Sequence, residues 1–166
     1  MRNLPVVLTT LNQPGYFSDW SLQQCHITHN NPLSDAATLA LGRMVKHLIT
    51  GQDLQICKQE ANLLINQYSE FAYTPDPGKA TGYIVDTVQT VLHYFFKCDS
   101  FESCLIATVN QGNDADTTGA LAGMLAGARY GVQQIPQRWL AQLDQQVTGQ
   151  IRQQTAGLVR LAESCS

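Results

Sequence analysis

Gln111-Gly112-Asn113-Asp114-Ala115-Asp116-Thr117-Thr118-Gly119-Ala120, followed by Leu121-Ala122-Gly123-Met124-Leu125-Ala126-Gly127-Ala128, is the stretch from which the rest of the chain can be read. It sets two carboxylates and two hydroxyls at a loop that opens directly into a helix rich in Gly and Ala. Every side-chain donor in Asp114-Ala115-Asp116-Thr117-Thr118 is an oxygen, the ligand type taken by hard divalent cations such as Mg²⁺ and Mn²⁺. No His or Cys lies within the run, which argues against zinc. The plainer alternative is a helix cap, with Asp116 accepting a backbone N–H and Asp114 adding about 0.3–1 kcal/mol through the helix dipole. The helix behind the loop weighs against that alternative. Gly119, Gly123 and Gly127 recur at every fourth position with Ala122 and Ala126 beside them. Each Gly costs roughly 0.8–1 kcal/mol relative to Ala in a helix interior, so this repetition calls for close backbone approach to neighbouring helices. The stretch is too short to span a bilayer and is flanked by Asp116 and Arg129, so it reads as a tightly buried helix that holds a loop at its N-terminus.

Working outward, helical periodicity dominates. Between residues 34 and 50, Ala37, Leu41, Met44, Val45, Leu48 and Ile49 fall on one face, with Ser34 or Asp35 as cap and Gly51 as terminator. Residues 53–68 repeat the pattern through Leu54, Cys57, Ala61, Leu64 and Ile65. Thr74-Pro75-Asp76-Pro77-Gly78 is a loop, because its prolines and glycine cannot continue a helix. Residues 82–97 are rich in β-branched side chains that favour a strand; their length and the spacing Ile84, Val88, Val91, Phe95 favour a helix, and we take helix. Asp86, within it, is either solvated or turned toward the acidic loop. Asp99 or Ser100 caps a helix from Phe101 to about Asn110. Gly131 ends the Gly/Ala helix, and Pro136 starts a short one running through Trp139 to Leu143. Residues 144–166 are dense in Gln, and their sparse apolar positions Val147, Ile151, Leu158 and Leu161 predict a peripheral helical tail.

Upstream, residues 20–32 read as polar and irregular. His26 and His29 stand three apart, a spacing that could place both on one helical face for a metal, but Asn30, Asn31 and Pro32 favour a loop. The fold class is therefore all-α, an orthogonal multi-helix bundle, in one domain spanning residues 1–166. That length suffices to bury a real core.

Composition narrows the class of function. A formal charge of −3 offers no electrostatic reason for nucleic acid or an anionic membrane as partner. Only 14% of residues are charged while 44% are hydrophobic, which points to extensive burial or a Gln-rich neutral surface. Cys25, Cys57, Cys98, Cys104 and Cys165 are odd in number and form no C-x-x-C pair, as expected of buried free thiols in a reducing compartment. With no bilayer-length apolar run and no apolar leader at the start, a cytoplasmic location is the expectation.

Several separated blocks, in order, resemble the ADP-ribosylglycohydrolase family. They are Gly82-Tyr83-Ile84-Val85-Asp86-Thr87, Asp99-Ser100-Phe101-Glu102, Val109-Asn110-Gln111-Gly112-Asn113-Asp114-Ala115-Asp116-Thr117-Thr118, Ala122-Gly123, Ala126-Gly127-Ala128, Tyr130-Gly131, Ile135-Pro136 and Trp139-Leu140. The family usually carries Gly where this chain has Asn113. The resemblance implies a pair of divalent ions, Mg²⁺ or Mn²⁺, seated between helices and holding the ribose hydroxyls of an ADP-ribosyl group while water cleaves an N- or O-glycosidic bond. Carried over position by position, it makes Asp114, Asp116 and Thr117 metal ligands. It also makes His29, through Thr28-His29, and Tyr83 candidate substrate contacts.

In the resembling family a Met-Arg-x-x-Pro segment like Met1-Arg2-Asn3-Leu4-Pro5 lies inside the chain, after a half that carries a Gly-Asp motif and further acidic residues. The expectation is therefore of a C-terminal portion of a larger all-α catalytic domain, N-terminally truncated, with the acid/base carboxylate and remaining ligands elsewhere. The substrate implied is an ADP-ribosylated protein or small ADP-ribose conjugate. An exposed apolar face implies a homodimer or a complementing N-terminal chain. The rival reading is an inactive remnant or helical binding module whose acidic loop only starts a helix.

Overall fold

The computed structural model describes residues 1–164, and among them every regular element is helical. In chain order these are α1 (Leu4–Thr9), α2 (Pro14–His26), α3 (Pro32–Ile49), α4 (Leu54–Gln67), α5 (Ile84–Lys97), α6 (Phe101–Asn110), α7 (Ala115–Tyr130), α8 (Gln137–Leu140) and α9 (Gln145–Ser164), with single 3₁₀ turns at Ser69–Phe71 and Val132–Gln134. The all-α expectation is met.

The core forms where the apolar stripes of α3, α4, α5 and α7 converge. Met44 and Val45 from α3, Cys57 and Ala61 from α4, Val88, Val91 and Leu92 from α5, and Ala122, Leu125 and Ala126 from α7 are all fully buried in one cluster. Burying a Leu- or Val-sized side chain contributes about 1.5–3 kcal/mol, and this is how α5 becomes helical despite its β-branched residues: Val85, Val88, Val91 and Phe95 recur at the helical period and meet α7 and α3. Its N-terminal neighbour Phe71 closes the floor of the cluster.

Caps follow the sequence in part. Asp53 accepts from Gln55 N at the start of α4, and Ser100 with Ser103 forms a reciprocal capping box on α6. At α3 the expected cap moves upstream: Asn31, not Ser34 or Asp35, accepts from Leu33 N at 2.9 Å. Pro32 sits at the first helical position, where its missing N–H is no loss, so the proline opens a helix there.

Residues 20–26, expected to be irregular, are the second half of α2. Only Phe17, Ser21 and Cys25 are buried along it, a stripe too thin in apolar side chains to register as periodic. The short helix α8 stops at Leu140 and does not reach Leu143, and Asp144 starts α9, its carboxylate accepting from Val147 N at 2.9 Å. Along α9 Val147, Ile151 and Leu161 are exposed and Ala162 is buried, near Asn12, whose amide donates to the Ala162 carbonyl. The Gly/Ala helix makes its close approach at one glycine: a Cβ on Gly119 would lie 3.1 Å from Val109 of α6, whereas at Gly123 the contact is ordinary and at Gly127 there is open space.

Cys25, Cys57, Cys98 and Cys104 are free thiols, and Cys165 lies outside the described residues. Burial pushes Cys57 and Cys104 up to about 11, which leaves them protonated and unreactive at neutral pH. Among the described residues no helix is long and apolar enough to cross a membrane.

Candidate metal and substrate site

The site is built at the turn from α6 into α7. Gln111 ends α6, and the chain then passes through Gly112 at φ +75° and Asn113 at φ +53°. Both are left-handed; Gly adopts that conformation freely and Asn is among the few other residues that tolerate it. This is the position where the resembling family carries Gly, and the substitution keeps the turn.

Asp114 occupies the cap position of α7, yet its side chain makes no capping hydrogen bond. Helix entry is secured by other groups: Thr118, fully buried, donates from N and Oγ1 to the Asp114 carbonyl, and the Asp114 amide donates to Ala80 O at 2.9 Å. The carboxylate of Asp114 is thus released from local duty and rests against Gly82, where an added Cβ would come within 3.3 Å of Oδ2.

Asp116, exposed in the first turn, meets it. Hydrogen bonding with Asp114, and then the Thr117 N–H at 2.9 Å, hold the Asp116 carboxyl below its ordinary range. Neighbouring carboxyls repel when both are ionised, and a cation relieves the repulsion. The Thr117 hydroxyl makes no hydrogen bond among the described residues, while that of Thr118 is committed to the helix start. Two carboxylates, one of them accepting the Thr117 N–H through a single oxygen, and one uncommitted hydroxyl are all oxygen donors, the chemistry that fits a hard divalent cation. They are also incomplete, since among the described residues no group of three or more His, Cys, Asp or Glu side chains could hold an ion.

The wall facing the loop comes from residues 79–86. Thr81 Oγ1 donates to Asp86 Oδ2 at 2.6 Å and accepts from Tyr83 N at 3.2 Å, so Asp86 is neither simply solvated nor in hydrogen-bonded contact with the acidic loop. Tyr83, next to Gly82, is 56% exposed. His29 is exposed in the α2–α3 connection; its Nδ1 meets Thr28 Oγ1 at 2.7 Å and its amide donates to Cys25 O. No hydrogen bond among the described residues joins His29 to the acidic loop. His26 pairs with Asp35 at 2.9 Å, bridging α2 to α3, which accounts for it without a metal.

The sequence reading passed over the polar face of α5. Thr87, Thr90 and Tyr94 anchor the segments around the acidic loop through bonds of 2.9, 2.6 and 2.8 Å to Thr81 O, Lys79 O and Gln111 Oε1. The spacing i, i+3 and i+7 places these polar residues on one face of α5, while their partners, backbone carbonyls and a distant Gln, could not be read from that spacing.

Comparison with known proteins agrees with this architecture. Residues 1–166 match the family described as ADP-ribosylglycohydrolase. The chain is 58% identical over 162 residues to the ADP-ribosyl-[dinitrogen reductase] glycohydrolase of Rhodospirillum rubrum, covering 98% of this chain and 55% of that protein. It is 31% identical over 137 residues to the ADP-ribosylarginine hydrolase Tri1 of Serratia proteamaculans strain 568, covering 78% of this chain and 37% of that one. A solved structure named ADP-ribosylglycohydrolase-related protein complex shares the fold, with a TM-score of 0.81 at 23% identity, over 96% of this chain and 60% of its own. The chain spans 55% or less of the length of these two curated relatives. Matched along its whole length, the chain belongs to the ADP-ribosylglycohydrolase family.

Proposed function

We propose that this chain carries part of the active site of a hydrolase that removes ADP-ribose from a modified protein side chain or small conjugate, water replacing the leaving group at the anomeric carbon of an N- or O-glycosidic bond. The observation that carries the reading is the Asp114 carboxylate, free of capping duty at a helix N-terminus and resting against Gly82, with Asp116 and the Thr117 hydroxyl, unbonded among the described residues, in the same first turn. Asp114, Asp116 and Thr117 hold Mg²⁺ or Mn²⁺, with further ligands, and a second ion, supplied from outside these residues. Such an ion provides Lewis acidity and a chelation point for vicinal ribose hydroxyls, which favours an oxocarbenium-like transition state.

The remaining work belongs to side chains. Tyr83 offers an exposed aromatic face at the rim, and His29 offers a hydrogen-bonding ring for the substrate. Asp116, held below the usual carboxylate range, is unsuited to donate a proton near neutral pH, and we assign the acid/base role to a carboxylate supplied from outside these residues. The unreactive buried thiols suit a reducing, cytoplasmic setting. A second copy or a complementing chain would supply the missing ligands, a question of mass that light scattering answers.

The rival, a helical module without hydrolytic activity, draws on the incompleteness of the ligand set. The test is release of ADP-ribose from an ADP-ribosylarginine peptide with Mn²⁺. It compares the chain alone with the chain mixed with that portion of the Rhodospirillum rubrum relative lying outside the alignment. Release in the mixture, abolished by Asp116→Ala, supports the hydrolase; no release in either sample favours the module.

A further inference from the structure

Two habits stand out among the threonines of this protein's helices. Thr9, Thr10, Thr108 and Thr118 turn their hydroxyls back onto carbonyls at the i−4 position, the usual habit of a helical or helix-end Thr. Thr87 and Thr90 do not. Buried at 3% and 0% exposure, they reach out of α5 to carbonyls of an irregular segment, Thr87 to Thr81 O and Thr90 to Lys79 O. Between those two carbonyls lies that of Ala80, which accepts the Asp114 amide. Three consecutive carbonyls are thus satisfied, the outer two by α5 and the middle one by Asp114, whose carboxylate rests against Gly82. One turn further along the same face, Tyr94 donates to Gln111 Oε1 at 2.8 Å, at the other end of the left-handed turn through Gly112 and Asn113.

We propose that Thr87, Thr90 and Tyr94 are positioning residues for the acidic loop: one stripe of α5 holds it at both ends, fixing the backbone from which the Asp114 carboxylate projects. The inference deepens the metal-site reading given under Proposed function and rests on it for its purpose, though the anchoring can be tested without any metal. Local bonds such as Gly112 N to Val109 O close the turn, and ligand groups must in addition be held within about half an ångström to act. A β-branched helix with its hydroxyls aimed outward supplies that fixity from a rigid element.

The test uses the 166-residue chain with Thr90→Val, which keeps shape and removes the hydroxyl, Tyr94→Phe, and Thr90→Ser as the rescuing variant. Amide hydrogen exchange is read at Asp114, with Leu92 and Leu125 as reporters of global opening; Mn²⁺ binding is titrated in parallel. Losing one such bond should speed exchange at Asp114 by about tenfold in Thr90→Val, and by about threefold through Gln111 in Tyr94→Phe, with Thr90→Ser near wild type. Mn²⁺ affinity should fall by about threefold to tenfold in the first two variants. Exchange at Asp114 unchanged in both, or rising only in step with Leu92 and Leu125, overturns the proposal. If Thr90→Val fails to fold, Tyr94→Phe alone decides. If wild type shows no saturable Mn²⁺ binding while Asp114 still responds to the variants, the metal reading fails and the anchoring stands.

Discussion

The acidic loop and the loop carrying His29 are both short connections between helices, and they are held in opposite ways. Around the first, local bonds such as Gly112 N to Val109 O and Thr118 N to Asp114 O are joined by long-range ones: Asp114 N to Ala80 O, Tyr94 to the Gln111 side chain, and buried Thr87 and Thr90 behind them. Around the second, the bonds are mostly to near neighbours, from Thr28 and His29 to Cys25 O and from Leu33 to Asn31, with Arg2 reaching Thr28 from the surface. The first is placed by the core; the second is a well-capped surface turn whose residues 26–32 are all exposed. The contrast suits their proposed roles, since converging carboxylates need fixed geometry and a substrate contact tolerates adjustment.

The sharpest way to break that contrast is to remove packing beneath each loop. Leu125, fully buried on α7, supports the acidic side; Leu125→Ala should cost about 2–5 kcal/mol in chemical denaturation. Ile27, 74% exposed beside His29, should cost under about 0.5 kcal/mol when changed to Ala. Equal losses would mean the two loops rest on the core alike.

Base should also attack the acidic side. Cys104, on the helix that leads into the acidic loop, and Cys57 are raised from 9.0 to about 11 by burial. A folded value above the unfolded one stabilises fully below pH 9.0, and that contribution drains away as pH climbs through 11. Stability measured against pH should therefore fall over that window, and Cys104→Ala with Cys57→Ala should flatten it.

A smaller effect separates geometry from stability. Gly82→Ala places a Cβ 3.3 Å from Asp114 Oδ2, so Mn²⁺ affinity should drop about threefold to tenfold while the melting temperature stays within a few degrees. The smallest change is a gain. Gly127→Ala meets open space inside α7 and should stabilise by about 0.4–1 kcal/mol, leaving the loop untouched.

Legibility in the sequence followed the same division. Helices with dense apolar stripes could be read directly: α3 through Leu41, Met44, Val45 and Leu48, α4 from its Asp53 cap, and α5 once spacing was weighed above β-propensity. The helix α2 escaped because Phe17, Ser21 and Cys25 bury little apolar surface, and α1 because it is a six-residue helix opened by Pro5. The ligand candidates Asp114, Asp116 and Thr117 announced themselves by chemistry, being adjacent oxygens before a Gly-rich helix. Their supports did not, since the pairing of Thr90 with Lys79 O or of Asp114 N with Ala80 O depends on tertiary folding and leaves no periodic trace. The Gly repeat was informative for a reason that proved only partly right: Gly119 is needed for close approach, Gly127 is not.

The central claim is that Asp114, Asp116 and Thr117 together hold a hard divalent cation, and calorimetric titration with Mn²⁺ tests it most directly. The account predicts saturable binding by the wild-type chain that Asp114→Ala and Asp116→Ala each weaken by about tenfold or more. A flat titration of the wild type, or variants that bind as it does, would contradict it.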